Sequence, residues 1–140
     1  MTFYLVYLSS ARQLYTTSDL SDILKKSRLN NTNKNITGLL LYHDGSILQI
    51  LEGDEESVMD VYHKIEQDDR HYNVLQLVTG TSEERNFPDW SMGFKTVTDE
   101  EWSEISGYLK LDPSTILTKI KNSNRKIGTL VSSYMSVSIR

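Results

Sequence analysis

The fold is decided by residues 38–51, which read GLLLYHDGSILQIL. Two apolar runs, 38–42 and 47–51, flank a short polar segment, and an Asp-Gly pair between apolar runs is a strong signal for a β-hairpin. Neither run alternates apolar with polar residues, so both faces of the hairpin need a cover. The hairpin is therefore predicted to lie inside a sheet that is packed on both sides.

The segments around the hairpin predict an α+β fold of the ferredoxin-like type. In chain order, they predict a strand at 2–9, a helix from a cap at Thr17 or Ser18 to about Arg28, a polar loop at 30–37, the hairpin, a helix from Asp54 to near Asp68, and strands at 74–79 and 90–97. The order is a split βαβ pattern with a fifth strand added, which places both helices on one face of the sheet.

The second face of this sheet is expected to be covered by the end of the chain. Thr98 can cap a helix to about Lys110, and Asp112 with Pro113 can start another. A third helix is indicated by the helical spacing of Ile127, Leu130, Val131 and Tyr134. We therefore divide the chain into a core, residues 1–98, and a tail, residues 99–140, whose helices pack on the sheet.

Composition excludes several classes of function. The 140 residues carry a net charge of -4, which weakly repels nucleic acids and anionic membranes. The chain has no cysteine, which rules out disulfides and thiol chemistry, and its three histidines lack the spacing of a metal site. The apolar start has no basic segment before it, so a cytoplasmic location is expected.

Two polar side chains are predicted to meet inside the apolar sheet. Gln49 interrupts the run 47–51, and a buried amide needs hydrogen-bond partners. Strand alternation places Gln49 and Tyr7 on the face that the helices cover, so a contact between the Tyr7 hydroxyl and the Gln49 amide is reasonable. Such a pair is either a satisfied polar contact in the core or part of a ligand site.

Asn30 and Asn31 allow the same two interpretations. Asparagine after a helix commonly supplies left-handed caps and turn contacts. A carboxamide also offers both a donor and an acceptor, which complement a ligand edge of alternating acceptors and donors. The pyrimidine ring of a flavin has such an edge.

Several stretches taken together resemble the BLUF family of blue-light receptors that use flavin. They are 3–9 with Tyr7, 22–24 with Ser27, Asn30-Asn31, Ile36-Thr37-Gly38, 49–53, Asp69-Arg70-His71 and 85–92. The resemblance covers about residues 2–97 in order, without large insertions. The chain departs from it at Asn35, where the family often has glycine, and at Ile47, where phenylalanine is common.

The resemblance implies a photochemical role for four residues. Tyr7 would be the redox-active phenol, and Gln49 the amide that switches between it and the flavin. Blue light would make the flavin a strong oxidant, Tyr7 would donate an electron and a proton, and their return would leave Gln49 in a new orientation or tautomer. Trp90 and Met92 would compete for the place beside Gln49.

The resemblance also implies how the flavin is held. Asn31 would bind the C4 carbonyl and N3 edge, with Asn30 near the C2 carbonyl. Ile23 and Ile65 would sandwich the ring, and Ser27 would make a minor polar contact. The phosphate tail would meet Lys64, Arg70 and His71. FAD is the expected cofactor, with FMN and riboflavin as alternatives.

On this interpretation the chain is a sensor and not an enzyme. Its signal would pass through the tail to a protein partner, within a homo-oligomer, and deletion of 99–140 would abolish signalling but leave the photocycle. The main alternative is a light-insensitive ferredoxin-like interaction module. An RNA-binding module is disfavoured by the net acidity, and an acylphosphatase by the absence of glycine in the stretch 9–13.

Overall fold

The computed structural model describes residues 1–11, 16–43, 45–69, 71–87, 93–96 and 125–138. Its elements are β1 (Thr2–Ala11), α1 (Thr17–Lys34), β2 (Thr37–His43), β3 (Ser46–Gly53), α2 (Glu55–Glu66), β4 (His71–Ser82), β5 (Gly93–Thr96) and α3 (Arg125–Ser138). The predicted order of elements is confirmed across these residues. The helices predicted at 98–110 and from 112 onward lie outside them.

The five strands form one sheet in the order β4-β1-β3-β2-β5. β1 runs antiparallel to β3 and β4, β2 runs antiparallel to β3, and β5 joins β2 in parallel. The predicted hairpin is present, since His43 pairs with Ser46 and Gly45 has a φ of 86°. This is the ferredoxin-like arrangement, in which β1 and β3 occupy the centre.

Alternation along the central strands builds two separate apolar clusters. Leu5 and Tyr7 of β1 face α1 and α2, whereas Tyr4 and Val6 face the opposite side. On that opposite side α3 contributes two side chains that are fully buried, Ile127 and Val131. Each such side chain contributes about 1.5–3 kcal/mol to stability by leaving water. α3, which is the part of the tail that the structure describes, therefore packs on the second face.

α1 is longer at its C-terminal end than the sequence predicted. Its end was expected near Arg28 with a polar loop at 30–37, but the helix continues to Lys34. Residues 29–34 contain no glycine or proline, and an asparagine costs less than about 1 kcal/mol in a helix. The prediction of a loop was therefore wrong, and Asn30 and Asn31 belong to the last turns of α1.

The residue that ends α1 is Asn35, in the left-handed conformation at φ 56°. The N–H of Asn35 donates to the carbonyl of Thr32, and the N–H of Ile36 donates to that of Asn31 at 2.8 Å. This pair of bonds is a Schellman motif. Asparagine thus takes the place of the glycine expected from the resemblance, because it tolerates positive φ better than most residues.

At its other end α1 is capped by Thr16, one or two residues before the predicted cap. The Thr16 hydroxyl accepts from the N–H of Asp19 at 3.1 Å, and the Asp19 carboxylate accepts from the N–H of Thr16 at 2.9 Å. This reciprocal pair is a capping box. α2 begins as predicted, with Asp54 accepting from the N–H of Ser57. Among the described residues, no helix has the length and apolar character to cross a membrane.

Candidate functional site

The centre of the site is a buried pair, Tyr7 and Gln49. The two residues are directly opposite each other across β1 and β3, and the Tyr7 hydroxyl donates a hydrogen bond to Gln49 Oε1. Their exposed fractions are 2% and 3%. The predicted contact is confirmed, and it turns the NH₂ end of the Gln49 amide away from the phenol.

Above Gln49 lies a cleft between α1 and α2, with a volume of about 140 Å³. On the same measure a cavity needs about 10–15 Å³ to hold one water molecule. The cleft is therefore large enough to admit part of a ligand and not only a single water. It is lined by Ile23, Lys26, Ser27, Asn30, Asn31, Lys34, Gln49, Val61, Lys64, Ile65 and Asp68.

Each helix presents one stripe to the cleft. The α1 residues are 23, 26, 27, 30, 31 and 34, and those of α2 and its exit are 61, 64, 65 and 68. Both sets follow the i, i+3, i+4, i+7 spacing of a single helix face. Because α1 extends to Lys34, Asn30 and Asn31 fall on the same stripe as Ile23 and Ser27.

The stripes divide the cleft into regions of different chemistry. Asn31 and Gln49 are buried and form its polar inner end, and Ile23 and Ile65 provide apolar surface from opposite helices. The lining also contains three lysines (Lys26, Lys34, Lys64) and one acid, Asp68, so it carries an excess of positive charge although the chain is acidic overall. Part of this charge is offset outside the lining, since Lys34 Nζ lies 3.7 Å from the Asp60 carboxylate. Such a site suits a planar ring with polar edges that carries an anionic extension.

Asn31 is held more firmly than its neighbour Asn30. Asn31 is 1% exposed, and its backbone carbonyl is bonded by Ile36 in the Schellman motif. Asn30 is exposed, although it also lines the cleft. Adjacent residues of the same type therefore occupy a buried and a solvated position beside one site.

A second buried phenol, Tyr62 of α2, lies close to the first. Its ring centroid is 5.7 Å from that of Tyr7, and the two rings are inclined by 56°. Burial, with a further contribution from the Glu66 carboxylate, raises the pKa of Tyr62. Tyr62 is not among the site residues predicted from the sequence, and its phenol stays neutral in this environment.

The remaining site residues of the sequence prediction are not all described. Arg70, Trp90 and Met92 lie outside the described residues, and His71 is the first residue of β4. Lys64 lines the cleft, and its contact with the phosphate tail stays a prediction. Sequence reasoning missed Lys26, Lys34, Val61 and Asp68 as lining residues. Helical spacing from Ile23 and Ile65 was a signal for Lys26, Val61 and Asp68, whereas Lys34 lies beyond the predicted end of α1.

A sequence model for the family described as sensors of blue-light using FAD, BLUF, matches residues 2–93. The chain belongs to the BLUF family. One relative is the photoactivated adenylate cyclase subunit beta of Euglena longa, which is 36% identical over 89 residues. The match covers 63% of this chain but only 10% of that protein.

Solved structures agree with this assignment. The structure of BlsA in its ground state is 37% identical, with a TM-score of 0.65 over 69% of this chain and 65% of that one. BlrB, a BLUF protein solved in the dark state, is 25% identical, with a TM-score of 0.70 over 97% and 96% of the two chains. The ferredoxin-like fold, the flavin cofactor and the blue-light-sensing function predicted from the sequence are thereby confirmed at the level of the family.

Proposed function

We propose that Tyr7 and Gln49 are the photochemical pair of this BLUF sensor. The observation that carries the proposal is the buried hydrogen bond from the Tyr7 hydroxyl to Gln49 Oε1 at the inner end of the cleft. A phenol in this position has a proton acceptor already in contact. An amide in this position has two ends of opposite hydrogen-bond polarity.

The chemistry follows from these two groups. A bound flavin supplies a strong oxidant when it absorbs blue light. Tyr7 would give up an electron to that oxidant together with its hydroxyl proton, for which Gln49 Oε1 is the adjacent acceptor. When Tyr7 regains both, Gln49 is left rotated or as its tautomer, with new hydrogen bonds. Each exchanged bond contributes about 1 kcal/mol net, so the two arrangements lie close in energy.

The proposed binding roles follow the regions of the cleft. Asn31, assisted by Asn30, binds the polar edge of the ring, and Ile23 and Ile65 hold its two faces, with Ser27 as a minor polar contact. Lys64 meets the phosphate tail together with Arg70 and His71. Lys26 and Lys34 add positive charge to the same cleft, which favours FAD or FMN over uncharged riboflavin.

The first test is the absorption spectrum of the purified chain. We expect a yellow protein whose flavin bands shift slightly to the red under blue light and return in the dark. Apoprotein titrated with FAD, FMN and riboflavin then identifies the preferred flavin. A colourless protein that none of the three reconstitutes would instead support the light-insensitive interaction module.

The output is proposed to pass through the tail to a protein partner. α3 lies on the sheet face opposite the cleft, and its Ile127 and Val131 share a buried cluster with residues of β1, β2 and β3. Because those two side chains are fully buried, deleting the tail would also uncover an apolar face. A measurement on the full chain is therefore cleaner than the truncation.

Amide hydrogen exchange gives that measurement. We expect the exchange rates of residues 125–138 to differ between illuminated and dark protein, because the switch at Gln49 alters the sheet that α3 covers. Amides at the exposed start of α2 serve as the internal control and should exchange alike in both states. Identical exchange of 125–138 in light and dark would rule out the tail as the output element. The homo-oligomer, the cytoplasmic location and the absence of enzymatic activity stay predictions.

A further inference from the structure

Glu52 is a buried carboxylate on the face of the sheet that the cleft does not use. It follows Gln49 by three residues in β3, and its exposed fraction is 0%. Its register partner on β1 is Tyr4, which belongs to the cluster covered by α3. Burying a carboxylate costs free energy unless hydrogen bonds replace its contacts with water. The hydrogen-bond partners of Glu52 therefore indicate its role.

Four donors surround the Glu52 carboxylate. Oε2 accepts from the backbone N–H of Asn86 at 2.8 Å and from its side-chain Nδ2 at 3.1 Å. Oε1 accepts from the N–H of Phe87 at 2.5 Å and from the Thr37 hydroxyl at 3.0 Å. A carboxylate has acceptor sites for about four such bonds and no donor, so the surroundings select glutamate over glutamine.

Arg85 joins the hydrogen-bonded group around Glu52 to the end of α1 and to β3, the two elements that carry Asn31 and Gln49. Its guanidinium donates to Thr37 Oγ1 at 3.0 Å, to the Glu52 carbonyl at 3.3 Å and to the Asn35 carbonyl at 2.7 Å. Asn35 ends the helix that carries Asn31, and Glu52 stands on the strand that carries Gln49. Residues 85–87 are therefore tied to both.

The other side of residues 85–87 contacts the second face of the sheet. Phe87 is 1% exposed and belongs to the same cluster as Ile127 and Val131 of α3. Within the described residues, Asn86 Oδ1 is buried without a hydrogen-bond partner. The backbone N–H and the side-chain Nδ2 of Asn86 both donate to Glu52. Because buried acceptors are normally paired, we attribute the position of Asn86 to these two bonds.

We propose that Glu52 is a positioning residue that couples the Gln49 switch to α3. It fixes residues 85–87 to β3, so that a change of β3 at Gln49 reaches Phe87 and through its cluster α3. The proposal rests on the proposed function, because it names how that site communicates. It assigns Glu52 no part in flavin binding or in the electron transfer.

The test is Glu52→Gln, measured by absorption and by hydrogen exchange on the full chain. In either orientation of the glutamine amide, its NH₂ group faces a backbone N–H, that of Asn86 or that of Phe87. The variant therefore loses the hydrogen bonds at one of the two carboxylate oxygens. We expect the variant to keep its flavin and its red shift, to lose the light–dark difference in the exchange of 125–138, and to recover in the dark at a rate changed several-fold. Glu84→Gln, at an exposed position two residues before Asn86, is the matched control and should behave as the parent.

Two further readouts keep the proposal falsifiable. If Glu52→Gln does not fold, Arg85→Met removes the bonds at the partly exposed rim of the cluster and should cause the same loss of coupling. If Glu52 had only a structural role, Glu52→Gln would have a lower melting temperature but would keep the light–dark difference in the exchange of 125–138. That result would overturn the proposal. Absence of a red shift in the parent chain would instead count against the proposed function.

Discussion

Tyr7→Phe is expected to bind flavin as the parent chain does and to show no red shift under blue light. The ring is kept, so the apolar packing of β1 against α2 persists, but the hydroxyl that donates to Gln49 is gone. Phenylalanine offers neither an easily oxidised phenol nor a proton. The measurement is the difference spectrum before and after illumination, with flavin occupancy determined on the same sample.

Tyr62→Phe is the matched control for this experiment. Tyr62 is also buried, and its ring centroid is only 5.7 Å from that of Tyr7. It projects from α2, however, and the hydroxyl that donates to Gln49 Oε1 is that of Tyr7. We expect the red shift of Tyr62→Phe to match the parent. A full red shift in Tyr7→Phe, or its loss in Tyr62→Phe alone, would contradict the assignment of the donor.

The contact between Tyr7 and Gln49 could be predicted because a strand has a fixed period of two. Once both segments were recognised as strands, the alternation of side chains between the two faces was enough to place Tyr7 and Gln49 on the helix-covered face. Alternation could not decide whether the pair is a core contact or part of a ligand site. That distinction depends on the cleft, which is formed by side chains of α1 and α2 that are distant in sequence.

The end of α1 could not be predicted from local propensity. Asparagines at 30, 31, 33 and 35 favour turns as much as helix, and the outcome depends on which of them takes positive φ. Asn35 does so, and the Schellman bonds then keep the preceding residues helical. The error mattered for the site, because only the longer helix places Asn31 and Lys34 on the stripe of Ile23.

β4 illustrates a second limit of the sequence. It was predicted at 74–79 but runs from His71 to Ser82, paired along β1 with two shifts of register. Asn73, at φ 52°, lies within the added part. Asn73 and Gly80, both in the added parts, are of types with weak strand propensity, and pairing with a central strand overrides it. The role of Glu52 could not be predicted either, because its partners Asn86 and Phe87 lie in the connection after β4, far away in sequence.

The proposed roles assign the two faces of the sheet to two tasks, the site on one face and the output on the other. The side chains of β1 and β3 that face α1 and α2 form the site, and their immediate neighbours in sequence face α3. A strand passes a displacement from one face to the other without any change of fold, because successive side chains share one backbone. Coupling of about 1–3 kcal/mol is enough to change a partner's affinity several-fold or more.

Asn31→Ala is expected to weaken flavin binding by about 5- to 150-fold. Its amide lies at the buried inner end of the cleft, where an unpaired polar edge of the ring costs about 1–3 kcal/mol, which is about 5- to 150-fold in Kd. The helix itself should persist, because alanine favours helix and the Schellman motif uses only backbone groups of residue 31. Titration of apoprotein with FAD, followed by quenching of flavin fluorescence, gives the Kd.

Asn30→Ala separates a specific contact from a general effect on the end of α1. The two asparagines are adjacent and chemically identical, and both line the cleft, but Asn30 is exposed to solvent. Water replaces a lost hydrogen bond at an exposed position, so we expect the Kd to rise only a few-fold. Equal losses in the two variants would point to the helix end and not to the Asn31 amide, and unchanged binding in Asn31→Ala would remove that residue from the site.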